Sequence, residues 1–187
     1  IKLNIQFPSV DAVEFRNITQ TGNFYEVRSK LDMCKDNALP FGLNHVLTEN
    51  NIGQLPDVVK WAIENEAPLK ILLDIYSSNH RSIVKLVHEC LDNLSYSKID
   101  LKNGSIKWKV QTSSQSFVMI TFVDSPCFMK DKASCVNYGE IRLHPDLKLQ
   151  TCIQETDYHE FGFPVKSEMS SNIKSKLQDL WISFTRD

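Results

Sequence analysis

Long hydrophobic runs are absent from this 187-residue chain, and so is a strong excess of charge of either sign. No apolar stretch approaches the roughly 20 residues that cross a bilayer, and no secretory signal is visible, so we expect no membrane association. A net charge of −2 gives no basic surface field, so we expect no nucleic-acid partner.

Familiar catalytic signatures are also absent. The chain has no P-loop, no glycine-rich dinucleotide fingerprint, no nucleophile elbow and no zinc-protease helix. Its five cysteines are odd in number and widely spaced, which argues against a disulfide framework and for a reducing compartment. We therefore expect a cytoplasmic protein.

The sequence begins with a strand-like pattern and not with methionine. Residues 1–7, Ile-Lys-Leu-Asn-Ile-Gln-Phe, alternate apolar and polar positions as a half-buried strand does. We expect the carboxyl-terminal part of a longer protein, or an engineered or proteolytic piece of one. A sheet divided in this way exposes an edge, and we expect a partner chain, another copy or the missing amino-terminal half to pair with it.

Three strand–helix units follow one another at spacings of roughly 30–40 residues, the size of a βα repeat. Apolar strands followed by amphipathic helices are typical of a parallel sheet covered by helices. The predicted strand and helix pairs are 1–7 with 24–37, 41–48 with 54–66, and 69–75 with 80–94.

Beyond residue 95 the pattern becomes rich in strands. Runs 97–102 and 105–111 flank Asn103-Gly104, a hairpin turn signal, and run 115–123 is a further strand. A last amphipathic helix is predicted near 171–184. The fold class is α/β, an open or partial barrel over 1–95 with a β-rich appendage over 96–187.

Three cysteines form a candidate metal site. Cys127, Cys135 and Cys152 are separated by seven and sixteen residues, and a predicted hairpin around a Pro-Asp turn would bring Cys152 back toward Cys135. Three converging thiolates can hold an iron–sulfur cluster or zinc, with His144 as a possible fourth ligand. Unpaired cysteines are also common as small buried hydrophobic residues, which is how we interpret Cys34 and Cys90, each on the apolar face of a predicted helix.

Polar residues at the carboxyl ends of the predicted strands form a second candidate site, because ligands of parallel α/β folds gather there. Gln6 and Thr48 follow the first two strands, and Asn44 lies within the second. Near the cysteines, Arg142 could bind an anionic substrate through its guanidinium fork. The alternative is a solvated strand residue paired with a nearby carboxylate.

Several segments together resemble a known family. They are Asp11-Ala-Val-Glu-Phe-Arg-Asn-Ile-Thr19, Leu43-Asn44-His-Val-Leu-Thr48, and the run from Ser116 to Cys127 continued by Arg142-Leu143 and by Asp146 to Cys152. Leu177-Gln-Asp-Leu180-Trp181 is similar to a closing helix. In these segments the chain resembles the second half of radical S-adenosylmethionine enzymes, most closely the MoaA type that cyclises GTP in molybdenum-cofactor biosynthesis.

The resemblance implies the later βα units of a partial (β/α)6, TIM-like barrel, followed by the β-rich region and a closing helix. It implies that Cys127, Cys135 and Cys152 ligate an auxiliary 4Fe–4S cluster facing the substrate, a small molecule or a peptide. It also implies that Arg142 faces that substrate. For S-adenosylmethionine, the resemblance implies a pocket lined by three residues, namely Gln6, Asn44 and Thr48.

The chain also departs from the family pattern. It lacks the C-x-x-x-C-x-x-C motif of the catalytic cluster, so we expect it to be inactive alone. S-adenosylmethionine and a second 4Fe–4S cluster are expected only with the missing amino-terminal part. In the family the first two auxiliary cysteines are close neighbours, whereas seven residues separate Cys127 from Cys135 here. The family also has paired arginines where this chain has Arg142 alone. Both differences argue for a substrate other than GTP.

Two other functions fit the residues. One is a non-catalytic α/β binding module, with zinc or no metal at the cysteines. The other is an α/β scaffold whose five cysteines are reduced and buried. Metal content and thiol reactivity distinguish these functions from a cluster-bearing enzyme.

Overall fold

A computed structural model describes residues 2–74, 77–102, 104–124, 142–146, 148–152, 158–160, 174–175, 177–180 and 182. The chain divides into two compact units, Ile1–Ser125 and Pro126–Asp187. None of the helices in these described ranges is long and apolar enough to cross a membrane.

In the first unit, each of the first three strands is followed by one or two helices, and three more strands follow the last helix. A short 3-10 turn, Ile52–Gln54, precedes the third helix. The strands and helices are β1 (Leu3–Gln6), α1 (Ala12–Thr19), α2 (Phe24–Asp36), β2 (Phe41–Leu47), α3 (Leu55–Glu64), β3 (Leu69–Leu73), α4 (His80–Asp92), β4 (Ser95–Asp100), β5 (Ser105–Gln111) and β6 (Phe117–Val123).

These strands form one six-stranded sheet in the order β1-β2-β3-β6-β5-β4. Strands β1, β2, β3 and β6 are parallel, whereas β5 is antiparallel to both of its neighbours. The predicted α/β class with a mostly parallel sheet is therefore confirmed. The order has two ends, β1 and β4, so the described strands form an open sheet, and the (β/α)6 barrel stays a prediction.

Side-chain caps fix the starts of the first two helices. The Asp11 carboxylate accepts hydrogen bonds from the backbone N–H of Val13 and Glu14, both at 2.9 Å. Asn23 does the same for Tyr25 and Glu26 at the start of α2. Each such cap typically stabilises a helix by about 1 kcal/mol.

The core lies between the helices and one face of the sheet. On β2 the buried positions alternate, with Leu43, His45 and Leu47 fully buried. On α4, His88 meets Trp108 of β5 and Phe122 of β6 edge-on, at 5.4 and 6.3 Å between ring centroids. Helix α4 therefore covers one face of the sheet. The odd-numbered residues of β2 lie on this face, and so do the even-numbered residues of β5 and β6 near Trp108 and Phe122.

Aromatic side chains close the core beside β1. The ring centroid of Phe7 lies 6.3 Å from that of Phe15, 6.0 Å from that of Phe24 and 4.6 Å from that of Trp61. Burying one such phenylalanine is worth roughly 1.5–3 kcal/mol. This cluster joins the end of β1 to α1, α2 and α3.

The second unit contains a three-stranded antiparallel sheet in the order β7-β8-β9. Its strands are β7 (Arg142–Leu143), β8 (Lys148–Gln150) and β9 (His159–Glu160). The turn between β7 and β8 contains Pro145 and Asp146, as the sequence predicts. Within the predicted last helix, residues 174–175, 177–180 and 182 are helical.

Candidate functional site

The sheet face opposite the helices carries a row of polar side chains that crosses five strands. Backbone register places Gln6 beside Asn44, Asn44 beside Lys70, Lys70 beside Thr121, and Thr121 beside Lys107. Since side chains of directly paired residues point to the same face, this polar row forms one continuous surface. Gln6 and Lys70 are exposed, and the other three are half-buried.

A cavity of about 630 Å³ lies over the middle of the polar row. Asn44, Lys70, Thr121 and Lys107 line it, and Lys2 reaches it from the start of β1. That volume falls within the range of small-molecule sites, roughly 300–1,000 Å³. The cavity lies within the first unit, on the polar face of the sheet.

The structure brings together two of the three residues predicted to contact a cofactor. Gln6 ends β1 and pairs with Asn44 at the middle of β2, and both contribute to the polar row. Thr48 follows the end of β2, four positions beyond Asn44, or about 13 Å along the strand direction. Their predicted contacts with S-adenosylmethionine stay predictions.

Loop residues beyond β2 have structural partners. The Asn51 side chain is buried, accepts from the Thr48 backbone N–H at 2.7 Å and donates to the Val46 carbonyl at 2.8 Å. It therefore fixes the turn that carries Thr48. Similarly, buried Ser9 accepts from the Asp11 backbone N–H at 3.0 Å, which supports the start of α1.

A histidine–carboxylate pair lies at the carboxyl end of β6. His80 Nε2 and Asp124 Oδ1 are 2.7 Å apart, and their side chains are 18% and 35% exposed. Because His80 is the first residue of α4, the pair links this helix to the end of the sheet. Sequence inspection did not single out this pair.

In the second unit, Arg142 and Cys152 are the predicted site residues within the described ranges. Arg142 is exposed on β7 and lies directly opposite Gln150 of β8. Cys152 is a free, half-buried thiol just after β8. The Nε2 atom of His144, the possible fourth ligand, lies 3.0 Å from the Gln150 side-chain oxygen. An amide oxygen can only accept, so Nε2 is the donor of this hydrogen bond.

Cys127 and Cys135 lie outside the described residues. Within the residues that are described, no group of three or more His, Cys, Asp and Glu side chains is close enough to hold a metal ion. The three-cysteine cluster site therefore stays a prediction. Of the other two cysteines, Cys34 is buried in α2, and burial raises the pKa of the half-buried Cys90 thiol in α4.

Sequence reasoning missed the lysines of the polar row. Lys70 stands alone among apolar residues in Leu-Lys-Ile-Leu-Leu, which reads as a fully buried parallel strand. Lys107 and Lys109 alternate with apolar residues on β5, a signal of a half-polar strand. Only the pairing of β3 and β5 with β6 shows that Lys70 and Lys107 share one cavity.

Fold and site together define an α/β protein with a mostly parallel sheet, covered by helices on one face and polar and cationic on the other. No protein-family model matches the chain. A curated relative, a "Probable GTP 3',8-cyclase" from Sulfurisphaera tokodaii, is 25% identical over 168 residues, covering 83% of this chain and 50% of the relative. The chain thus spans about half the length of that relative, and the similarity supports a distant relationship to MoaA-type radical S-adenosylmethionine enzymes.

Proposed function

We propose that this chain is the carboxyl-terminal part of a MoaA-like radical S-adenosylmethionine enzyme. The observation that carries the proposal is the similarity to a GTP 3',8-cyclase, which extends over 83% of the chain. The mostly parallel sheet with a polar face is compatible with the barrel wall of such an enzyme. The other strands and the catalytic cluster would come from a preceding segment or from a partner chain.

In this proposal the polar row binds the cofactor. Gln6 and Asn44 present neighbouring carboxamide groups, and Thr48 adds a hydroxyl where β2 ends. Carboxamides both donate and accept hydrogen bonds, which suits the amino, carboxylate and ribose groups of S-adenosylmethionine. Bound in the complete enzyme, that cofactor would supply the radical that starts the reaction.

The second unit would contribute an auxiliary 4Fe–4S site. Cys127, Cys135 and Cys152 are its proposed ligands, and Cys152 is a free, half-buried cysteine. The chemistry of this donor set suits iron, because thiolates are the usual ligands of such clusters. Arg142, exposed on the neighbouring strand, would face an anionic part of the substrate.

Iron and sulfide content per chain tests this assignment after anaerobic purification and cluster reconstitution. We expect about four irons with matching sulfide in the wild type, and a loss of most of that iron in Cys135→Ala. Cys90→Ala is the matched control, since it removes a thiol of α4 and should keep the iron.

The other outcomes are equally informative. Stoichiometric zinc in place of iron would favour a non-catalytic binding module. No metal in any of the proteins would remove the cluster from the proposal and leave only the distant family relationship.

A further inference from the structure

A cluster of polar side chains lies on the face of the sheet that α4 covers. The Lys98 ammonium of β4 donates to both carboxylate oxygens of Asp92 in α4, at 2.9 and 3.1 Å, and lies 3.1 Å from His88 Nδ1. The indole N–H of Trp108 on β5 donates to Asp92 Oδ1 at 2.6 Å. These four side chains therefore tie β4 to α4 and to β5.

The contact between Lys98 and His88 fixes the protonation state of the ring. A lysine ammonium can only donate, so His88 Nδ1 must offer its lone pair and the ring must be neutral. Protonation of the ring would place an N–H at Nδ1, and two cations would then face each other at this contact. Lys98 can therefore keep the hydrogen bond only while His88 is uncharged.

Three charged groups among the described residues act on the His88 ring, namely Lys98 of β4, Asp92 of α4 and Asp124 of β6. The neighbouring rings from β5 and β6, which pack edge-on, are uncharged. Burial first, and the Lys98 ammonium second, lower the pKa of His88 below 6.5 against the opposing effect of the two carboxylates. The neutral ring is therefore fully present above pH 6.5 and is lost as the pH falls through the lowered pKa.

Strand β4 has little buried surface to hold it in place. It lies at one end of the six-stranded sheet, where β5 is its partner, and residues 96–100 are exposed. A strand with few buried contacts opens more readily than the middle of a sheet. The side-chain bonds from Lys98 to α4 therefore matter for the stability of this edge.

We propose that His88 and Lys98 form a pH-sensitive latch, closed at neutral pH and open in mild acid, that holds edge strand β4 against α4. When His88 is protonated, Asp92 Oδ2, which lies 3.9 Å from Nδ1, pairs with the imidazolium. The Lys98 ammonium then turns toward solvent, to which its side chain is already 36% exposed. The latch uses no residue of the polar row and none of the cysteines, so it stands or falls independently of the proposed function.

Hydrogen exchange of the purified chain, followed by mass spectrometry between pH 8 and pH 4.5, tests the proposal. After correction for the intrinsic exchange rate, we expect the protection of residues 95–102 to fall about fivefold as His88 is protonated, as the loss of one charge-assisted hydrogen bond does. Residues 117–123, in β6, serve as the internal reference, because they report opening of the whole sheet.

Two variants separate the latch from a general effect of acid. His88→Gln replaces the ring by a carboxamide whose oxygen accepts from Lys98 at every pH, so the protection of β4 should stay high in acid. Lys98→Met removes the donor, so the protection should be low and nearly independent of pH. Lys85→Met is the matched control, since Lys85 lies on the exposed side of α4, 3.6 Å from Glu89, and this variant should keep the wild-type pH dependence.

Nuclear magnetic resonance of the wild type gives a measurement that needs no variant. The ε-methylene signal of Lys98 should titrate with the same midpoint as the His88 ring, and that midpoint should lie below 6.5. The proposal is overturned if the two midpoints differ, if His88→Gln loses protection in acid as the wild type does, or if Lys98→Met protects β4 as well as the wild type does at pH 8.

Discussion

At the scale of single residues, His45 places a titratable ring in the core. It is fully buried on β2, and its Nδ1 lies 3.0 Å from the carbonyl oxygen of Phe7. Because that oxygen can only accept, Nδ1 carries the proton of the neutral ring. Nε2 has no hydrogen-bond partner among the described residues, and burial lowers the pKa of the ring from 6.5.

This lowered pKa predicts a loss of stability in mild acid. Below pH 6.5 His45 becomes protonated in the unfolded state but stays neutral in the folded state. The free energy of unfolding therefore falls as the pH decreases from 6.5 toward the lowered pKa of the folded protein. The slope from one histidine reaches about 1.4 kcal/mol per pH unit at most. Urea unfolding of the wild type and of His45→Gln at pH 5, 6, 7 and 8 measures it.

We expect His45→Gln to be less stable than the wild type at pH 8, but with a flatter pH dependence. Burial also lowers the pKa of His88, so the difference between the two proteins isolates the contribution of His45. Equal slopes for the wild type and His45→Gln would show that the buried ring does not resist protonation.

At the scale of elements, helix α4 is capped by a distant residue. Its N-cap Asn79 makes no side-chain capping bond. Instead, Glu49, in the loop after β2, accepts from the backbone N–H of Ser78 and Asn79 at 3.2 and 3.1 Å, and from the Ser78 hydroxyl at 2.8 Å. The Ser78 hydroxyl bond in particular lowers the pKa of this carboxyl.

Replacing Glu49 should loosen the start of α4. We expect Glu49→Ala to lower the thermal unfolding midpoint and to speed hydrogen exchange in the first turn of the helix, with a smaller effect for Glu49→Gln, whose oxygen still accepts. This contribution is present above pH 4.5 and is lost as the pH falls through the lowered pKa. Glu89→Ala, on the exposed surface of the same helix, is the control and should leave the unfolding midpoint almost unchanged. Unchanged hydrogen exchange in the first turn of α4 in Glu49→Ala would contradict the capping role.

Elements with strong periodicity could be predicted from the sequence, and their pairing could not. Helices α2, α3 and α4 and strands β1 to β6 lie close to the predicted positions, and Gly104 takes the positive φ of 76° that a tight turn requires. Helix α1 was missed as a helix, although Asp11 is an N-cap signal. The lysines of the cavity were missed because register between β3, β5 and β6 decides which side chains meet, and no local pattern encodes it.

At the scale of the whole molecule, the length of the chain bears on its chemistry. It spans about half of a GTP 3',8-cyclase and contains no C-x-x-x-C-x-x-C motif. Under the proposed function the catalytic cluster lies in the other half of the enzyme. The polar row and the cysteines would then belong to the part that binds and positions ligands.

We therefore expect the reconstituted chain with S-adenosylmethionine and a strong reductant to produce no 5'-deoxyadenosine above the level without protein. Reductive cleavage needs a cluster bound to the cofactor, and this chain lacks the motif that holds one. Chromatography of the quenched reaction measures the product, with a complete radical S-adenosylmethionine enzyme as positive control. Product formed in proportion to this chain, and lost in Cys135→Ala, would assign cofactor cleavage to the cysteines of the chain itself.

The position of β6 in the sheet also governs the order in which the first unit can assemble on the ribosome. Strand β6 pairs with β3 across the intervening residues 74–116, which include all of α4 and the β4–β5 hairpin. During translation, β1, β2 and β3 leave the ribosome before β6 does. The edge of β3 that pairs with β6 stays unpaired until Val123 has left the exit tunnel. Because long-range pairing is slow, the nascent chain passes through a stage with an exposed parallel edge, when a chaperone that shields strands would have most effect.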